Sequence, residues 1–395
     1  MTDRAHRPRR RSPWAHREGP MLMDDRQIAA RILEHIEGGT TDTGGEIWRE
    51  PVANYLSPDR FAAERAVLRR LAVPFCPSAA LAEPGAYVAR LAAGTPILVV
   101  RGQDGTVRAF RNACRHRGVE LASGSGCTRA FTCRYHGWTY RLDGTLSLVP
   151  HEGGFPGLDK AAHGLVPVHA WEQAGLVFIK QDDDDAGGDI MNDLPAGLMA
   201  PGQAVFATAE REVEANWKIV AEGFLEGYHI RSTHRDTFYP YGFDNLNVVE
   251  CFGRNSRVTF PFRRIAKLAQ VPPAERRVDG LVTYVYHLFP NVMVAVLSQH
   301  TKVVVLEPLD PGRTRLVTYA LANAGRDGDA NREAAARDAA FVDQTGAAED
   351  REVSQAIQRG LASGANRHFT YGLFESAIVH FHRTLDAALR GPRLS

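Results

Sequence analysis

No stretch of this chain approaches the roughly 20 apolar residues that a bilayer-spanning helix needs; the best candidates, such as residues 96–100 and 303–306, have the length of strands. No membrane span is therefore expected. Cysteine is sparse: five residues, an odd count, argue against a disulfide-stapled secreted scaffold and for a reducing compartment, with the cytoplasm as the expected location. Charge of one sign is lacking too. Lys and Arg number 47 against 46 Asp and Glu, a formal net charge of +1, so no global field favours nucleic acid or an anionic membrane. No glycine-rich phosphate loop of the nucleotide-binding kind and no internal repeat occur, so neither a nicotinamide nor a flavin site is visible.

What is present is an ordinary globular composition, 44% hydrophobic and 24% charged over 395 residues, long enough for two domains. The opening segment is basic, with Arg9, Arg10 and Arg11, but no apolar h-region follows. Residues 1–24 thus read as a disordered tail upstream of alternative starts at Met21 or Met23, with a transit peptide as the weaker reading. Apolar positions at helical spacing over 26–37 and 58–71, the second behind a Ser57-Pro58 start signal, give an N-terminal helical segment over 25–70, expected to pack on the domain over 190–395. From 86 to 180, short runs of Val, Ile, Phe and Tyr punctuated by Asp-Gly at 104–105 and 143–144 describe an all-β module, assigned to 71–182. Asp182 to Asp185, then Gly187-Gly188, mark an exposed linker. Over 190–395, strands at 204–214, 247–259, 281–297, 301–306 and 314–322 combine with a helix over 216–231 and a long helix over 330–361, an α+β domain.

Within the β module the chain reads Cys114-Arg115-His116, then sixteen residues, then Cys133-Arg134-Tyr135-His136. Each half supplies one thiolate and one imidazole, and Gly118 and Gly137 allow tight turns that bring amide donors towards sulfur. Zinc is the alternative for any such set, but zinc fingers usually pair like ligands, whereas each half here mixes them. Further on come Glu226, His229 and His234. Two neutral imidazoles and one carboxylate on one face of iron(II) leave positions open for dioxygen. Five residues at about 100° each would set His229 and His234 roughly 140° apart on an ideal helix, so a π-bulge or helix end is expected near Ser232 and Thr233. The carboxylate is expected from the long helix. There Val342, Gly346, Asp350, Val353, Ile357 and Leu361 step by three or four and place Asp350 in a core-facing stripe, with Glu349 at its edge as the alternative.

The pattern C-x-H-x16-C-x2-H in a β-rich setting resembles the Rieske motif, in which two cysteines hold one iron of a 2Fe-2S cluster and two histidines the other. Asn216-Trp217-Lys218, Glu226-x2-His229-x4-His234, Glu349-Asp350 and Gln358-Arg359-Gly360-Leu361 then follow in the order of a Rieske non-haem iron ring-hydroxylating oxygenase alpha subunit. The resemblance covers nearly all of the chain after Met23. It implies an α+β protein: an all-β Rieske iron-sulfur domain plus a helix-grip (START/Bet v 1-like) catalytic domain with an antiparallel sheet and a long C-terminal helix. It implies a 2Fe-2S cluster on Cys114, His116, Cys133 and His136, and a mononuclear Fe(II) on His229, His234 and Asp350. Glu226 would join His136 of one copy to His229 of the next in a homotrimer.

Electrons would come from a separate ferredoxin or flavin reductase. With O2 they would hydroxylate, dihydroxylate or oxidatively demethylate a small organic, aromatic substrate. Most ring-hydroxylating members have Asp at the bridge. Glu226 resembles relatives acting on quaternary ammonium compounds, which makes monooxygenation of such an amine the alternative, and a Rieske electron-transfer protein with a degenerate iron site is the alternative from another class. Val119 and Tyr135 stand where respiratory-type Rieske proteins place a disulfide. Phe224, Leu225, Tyr284, Phe289 and Val294 are candidates for the substrate cavity.

Overall fold

The computed structural model describes residues 22–182, 194–195, 197–323 and 329–391; the basic tail through Met21 and most of the acidic linker, from Asp183, lie outside them. Asp24 opens the first helix, Asp25–Gly38, with a capping box in which its carboxylate accepts from the amides of Arg26 and Gln27 and the Gln27 side chain accepts from its own amide. Ser57 caps the helix Pro58–Arg70, with Pro58 in the first turn where a missing N–H costs nothing.

The first large sheet has seven antiparallel strands in the order Val73–Pro77, Leu176–Lys180, Pro167–Gln173, Val107–Arg111, Thr95–Arg101, Ala86–Ala92 and Gly124–Cys127. A three-stranded sheet, Phe131–Thr132, Thr139–Tyr140 and Leu146–Leu148, stands beside it. Both Asp-Gly pairs form hairpin turns, Gly105 at φ 76° and Gly144 at φ 87°.

The second large sheet is also seven-stranded and antiparallel, in the order Val205–Val213, Arg313–Ala322, His300–Asp310, Val292–Val296, Val282–Leu288, Asn255–Pro261 and Val248–Phe252. The segments 247–259 and 281–297, each read as one strand, are hairpins, because Gly253 at φ 54° and the Pro290 turn reverse the chain. The expected long helix is two, Asp329–Gln344 and Gly346–Leu361, parted at Thr345, whose φ of −112° and ψ of −101° are not helical. The sequence reading missed the last elements altogether. Strand His368–Tyr371 pairs with Trp48–Pro51, and helix Ser376–Arg390 packs across the strands Val248–Phe252 and Asn255–Pro261, burying Ile378, Phe381 and Leu385 at helical spacing.

One apolar core runs through both large sheets, joining Phe75, Val99 and Phe178 to Trp217, Val294 and Val304. A polar clasp lies beside it: the amides of Ala93 and Gly94 donate to buried Glu307 of His300–Asp310 at 3.0 and 2.9 Å. A second clasp ties the N-terminal helices to the second sheet. Asn216 caps the helix Trp217–Glu222, and within that helix Trp217 Nε1 and Lys218 Nζ donate to Glu64 of Pro58–Arg70 at 2.8 and 2.9 Å, with Arg60 Nε at 3.0 Å. Lys218 and Glu64 are almost fully buried, at 0% and 1% exposure. Removing one partner strands the other's charge, so Lys218→Met is expected to cost roughly 3–5 kcal/mol. A thermal unfolding midpoint equal to that of the unaltered protein would contradict this.

Candidate active site

The helix expected over 216–231 is two short helices, Trp217–Glu222 and Ile230–Thr233. Between them Glu226 turns back on the chain. Its Oε2 accepts from the amides of Tyr228 and His229, while its Oε1 meets His229 Nδ1. His229 therefore stands just before the second helix and His234 just after it, which removes the 140° separation that one continuous helix would impose. The helix end at Thr233 lies where the spacing required it, but the larger break lies earlier than expected. The two imidazole centroids are 5.0 Å apart.

Asp350 completes the group from the helix Gly346–Leu361: its Oδ1 lies 3.0 Å from His234 Nε2 and 3.6 Å from His229 Nε2. One ligating atom from each of the three residues falls within 4.8 Å of the others, and no other such group of His, Cys, Asp and Glu occurs among the described residues. Glu349 lies on the other edge of His234, its Oε2 2.7 Å from Nδ1 and 2.7 Å from the Thr237 hydroxyl that donates to it. Neighbouring side chains on a helix diverge by about 100°, which lets Glu349 and Asp350 straddle one ring. Each imidazole thus has its own carboxylate at Nδ1 and shares Asp350 at Nε2. A carboxylate accepting Nδ1–H leaves the Nε2 lone pair for a metal. Burial disfavours protonation of both rings, but the carboxylates outweigh it and hold both above the usual histidine range; Glu349, despite its own burial, is held below the carboxylate range by His234.

The group opens into a cavity of about 1290 Å³ between the concave sheet and the helices Asp329–Gln344 and Gly346–Leu361. Aromatic rings dominate part of its wall, Phe224, Phe238, Phe260, Phe341 and Phe369 among them, and Glu222 and Glu226 add carboxylates, while burial pushes the Glu375 carboxyl there up to about 7. Val353 and Ile357 are 39% and 38% exposed because the stripe read as core-facing looks into this cavity. Of the five candidate lining residues only Phe224 lines it; Leu225, Phe289 and Val294 lie in the core, and Tyr284 packs at its edge. Strand alternation is the reason: Val285 and Ala295, paired across two strands, face the cavity and turn Tyr284 and Val294 away.

Gly346 sits where the Phe238 ring, tilted against His234 at 4.9 Å between centroids, closes over the helix start; a Cβ there would lie 2.0 Å from that ring. Gly346→Ala is expected to cost about 1–3 kcal/mol by overpacking and to lower iron occupancy on purification. Full occupancy with an unchanged melting temperature would contradict it.

Behind the cavity lies a network that sequence reasoning missed. Glu222 accepts from Tyr55 OH at 2.6 Å and lies 2.8 Å from His382 Nε2, and the Tyr371 hydroxyl is 3.0 Å from that of Tyr55. No local signal marks it, since its members come from three distant stretches of the chain, around Tyr55, around Glu222 and between Tyr371 and His382.

The two Cys/His loops of the first module are built alike. Gly118 N–H donates to the Cys114 carbonyl at 2.8 Å and Gly137 N–H to the Cys133 carbonyl at 2.9 Å, both glycines at positive φ, 79° and 74°. Both cysteines are buried, and the rings of His116 and His136 lie 4.6 Å apart with His116 stacked on Trp138. Tyr140 OH accepts the Arg115 amide at 2.9 Å, which directs its own proton to Cys114 Sγ at 3.4 Å. Burial, reinforced by the Cys114 sulfur, holds that phenol above its ordinary range and keeps it a donor. Burial and the neighbouring His136 lower the His116 pKa, and its Nδ1 is buried without a hydrogen-bond partner among the described residues. A neutral imidazole with an orphaned nitrogen beside two buried thiols fits a metal cluster. These four residues form no group converging on a single ion, which suits a binuclear cluster better than zinc.

A mixed Cys/His two-loop module joined to a helix-grip cavity with a two-histidine, one-carboxylate group defines a Rieske-type non-haem iron oxygenase subunit. The family model of the Rieske [2Fe-2S] domain matches residues 72–163, and that of the ring hydroxylating alpha subunit (catalytic domain) matches residues 203–391. The chain belongs to the Rieske ring-hydroxylating oxygenase alpha subunit family. It is 32% identical over 231 residues to the carnitine monooxygenase oxygenase subunit of Acinetobacter baumannii, a match spanning 54% of this chain and 62% of that protein. It is 29% identical over 320 residues to the chloroplastic choline monooxygenase of Spinacia oleracea, covering 78% of this chain and 70% of that one. A crystal structure of the quaternary ammonium Rieske monooxygenase CntA with an inhibitor aligns at a TM-score of 0.70 and 25% identity, over 87% of this chain and 95% of that one. No helix among the described residues is long and apolar enough to cross a membrane.

Proposed function

We propose that this chain is a terminal oxygenase component that monooxygenates a quaternary ammonium or related aliphatic amine, receiving electrons from a separate ferredoxin or flavin reductase. The observation that carries the reading is the convergence of His229, His234 and Asp350 at the wall of an aromatic, carboxylate-bearing cavity. A cation is attracted to aromatic faces and to carboxylates together, and the relatives named above are oxygenases of carnitine and choline. The ring-hydroxylating reading, first in sequence terms, has weaker support than this alternative.

In this reading the chain divides into the cluster module over 71–182 and the catalytic unit over 190–395. Cys114 and Cys133 would hold one iron of the cluster, His116 and His136 the other; His229, His234 and Asp350 would hold the mononuclear iron. When bound, the cluster supplies stored electrons and the mononuclear iron the centre at which dioxygen is activated. The chain's own residues position these groups. Glu226 and Glu349 accept the Nδ1 protons and hold both rings in one tautomer and orientation. Tyr140 donates to the Cys114 sulfur. The aromatic part of the cavity wall would keep water from the reacting substrate. No loop ligand lines the cavity of its own chain, and exposed His136 would meet Glu226 of the next copy in a homotrimer.

Dioxygen uptake with product analysis, run with a generic reductase on choline, glycine betaine, L-carnitine and an aromatic set, tests the assignment. Uptake coupled to oxidation of a quaternary ammonium compound is expected. Coupled turnover confined to the aromatic set would restore ring hydroxylation.

A further inference from the structure

Five cationic side chains line the cavity: Arg211, Arg263, Arg264, Lys302 and Arg351. Three are engaged. Arg263 donates to the Tyr239 carbonyl at 3.3 Å, Arg264 to that of Gly280, and Lys302 pairs with Asp343. Arg211 and Arg351 make no hydrogen bond or ion pair among the described residues. We propose that these two guanidiniums form an anion-binding subsite that holds a carboxylate group of the substrate.

Both side chains line the same cavity. On the strand Val205–Val213, alternation turns Ala209, Arg211 and Val213 into the cavity, while Glu210 and Glu212, on the other face, pair with Arg315. On the helix Gly346–Leu361, Arg351 is one step round from Asp350, so the subsite adjoins the wall that carries the histidine–carboxylate group. The two elements are tied together nearby, Gln355 accepting from the Glu214 amide at 3.3 Å and Gln358 from that of Asn216 at 2.9 Å.

Arg351 is half-buried in the cavity wall, and Arg211 stands exposed on the strand Val205–Val213. Of the nearby acids, Asp343 is paired with Lys302 and Asp350 lies against the two histidines, so neither pairs with Arg351. Two unpaired guanidiniums facing one cavity are relieved by a planar anion, and their donor forks match a carboxylate in two parallel hydrogen bonds. With aromatic rings and carboxylates elsewhere on the wall, the complementary ligand is a zwitterion with a quaternary ammonium group and a carboxylate. This rests on the amine reading above and narrows it: a substrate without a carboxylate would leave both arginines unpaired.

The test uses calorimetric titration of the iron-loaded full chain, without oxygen, with two matched pairs: γ-butyrobetaine and its methyl ester, and benzoate and methyl benzoate. The acid of at least one pair is expected to bind about tenfold more tightly than its ester, the worth of a charge-assisted contact. Arg211→Gln and Arg351→Gln should each erase that preference without weakening the ester, and lysine at either place should restore part of it. Acids and esters binding alike, neither acid binding, or variants that weaken acid and ester equally would overturn the subsite. A preference confined to the benzoate pair would keep the subsite and remove the amine reading. Equal, tight binding of γ-butyrobetaine and its ester would do the reverse.

Discussion

Replacing His229 and His234 together by alanine is expected to leave about two irons and two acid-labile sulfides per chain, where the unaltered protein, prepared anaerobically, binds about three irons. Colour from the cluster should persist and substrate oxidation should fall to background, because only Asp350 of the converging group would remain. The physical ground is the separation of the two ligand sets: none of Cys114, His116, Cys133 or His136 lines the cavity that His229 and His234 enter. Two irons in both proteins under full iron supply would sink the oxygenase reading and leave a Rieske electron-transfer protein with an unused second domain.

Glu226→Gln should show the converse pattern, with metal content kept and turnover lost. The carboxylate holds His229 through Nδ1 and accepts the Tyr228 and His229 amides ahead of the helix Ile230–Thr233 through its second oxygen. An amide has a single acceptor oxygen, so it can keep either the Nδ1–H bond or the backbone bonds but not both, and it carries no charge to stabilise Nδ1–H. Altering a group that orients a metal-binding histidine typically costs 10–100-fold in activity, and in the proposed trimer loss of a link to the partner subunit's His136 would add to that. The expected result is a steady-state rate down by about two orders of magnitude, with slowed cluster reoxidation when substrate and dioxygen are added to the reduced protein. Unchanged reoxidation alongside a lowered rate would remove Glu226 from the electron path and leave it an orienting role alone. Glu226→Asp, the residue usual in ring-hydroxylating members, should recover part of the rate.

Some of this was legible from residues alone, and the division has a physical cause. Ligand types at short spacing are local information. Cys114, His116, Cys133 and His136 sit in two turns of nearly identical build, and His229 and His234 flank a single short helix, so a linear pattern reports them. Strand and turn signals are local as well, and the Asp-Gly hairpins formed where they were expected. Helix continuity was not legible. The segments 216–231 and 330–361 both carry helical patterns, yet the turn in which Glu226 binds the amides of Tyr228 and His229 interrupts one and the backbone of Thr345 the other.

Only tertiary structure decided which acid faces the shared side of the histidines. Glu349 and Asp350 are adjacent in sequence, and their positions differ only because their helix presents them about 100° apart to a ring fixed by a different segment. The same holds for Tyr55, Glu222, Tyr371 and His382 behind the cavity, and for Arg211 and Arg351 at its wall. These groups meet through packing between elements far apart along the chain, and nothing local in a sequence records which side chains such packing leaves without a partner.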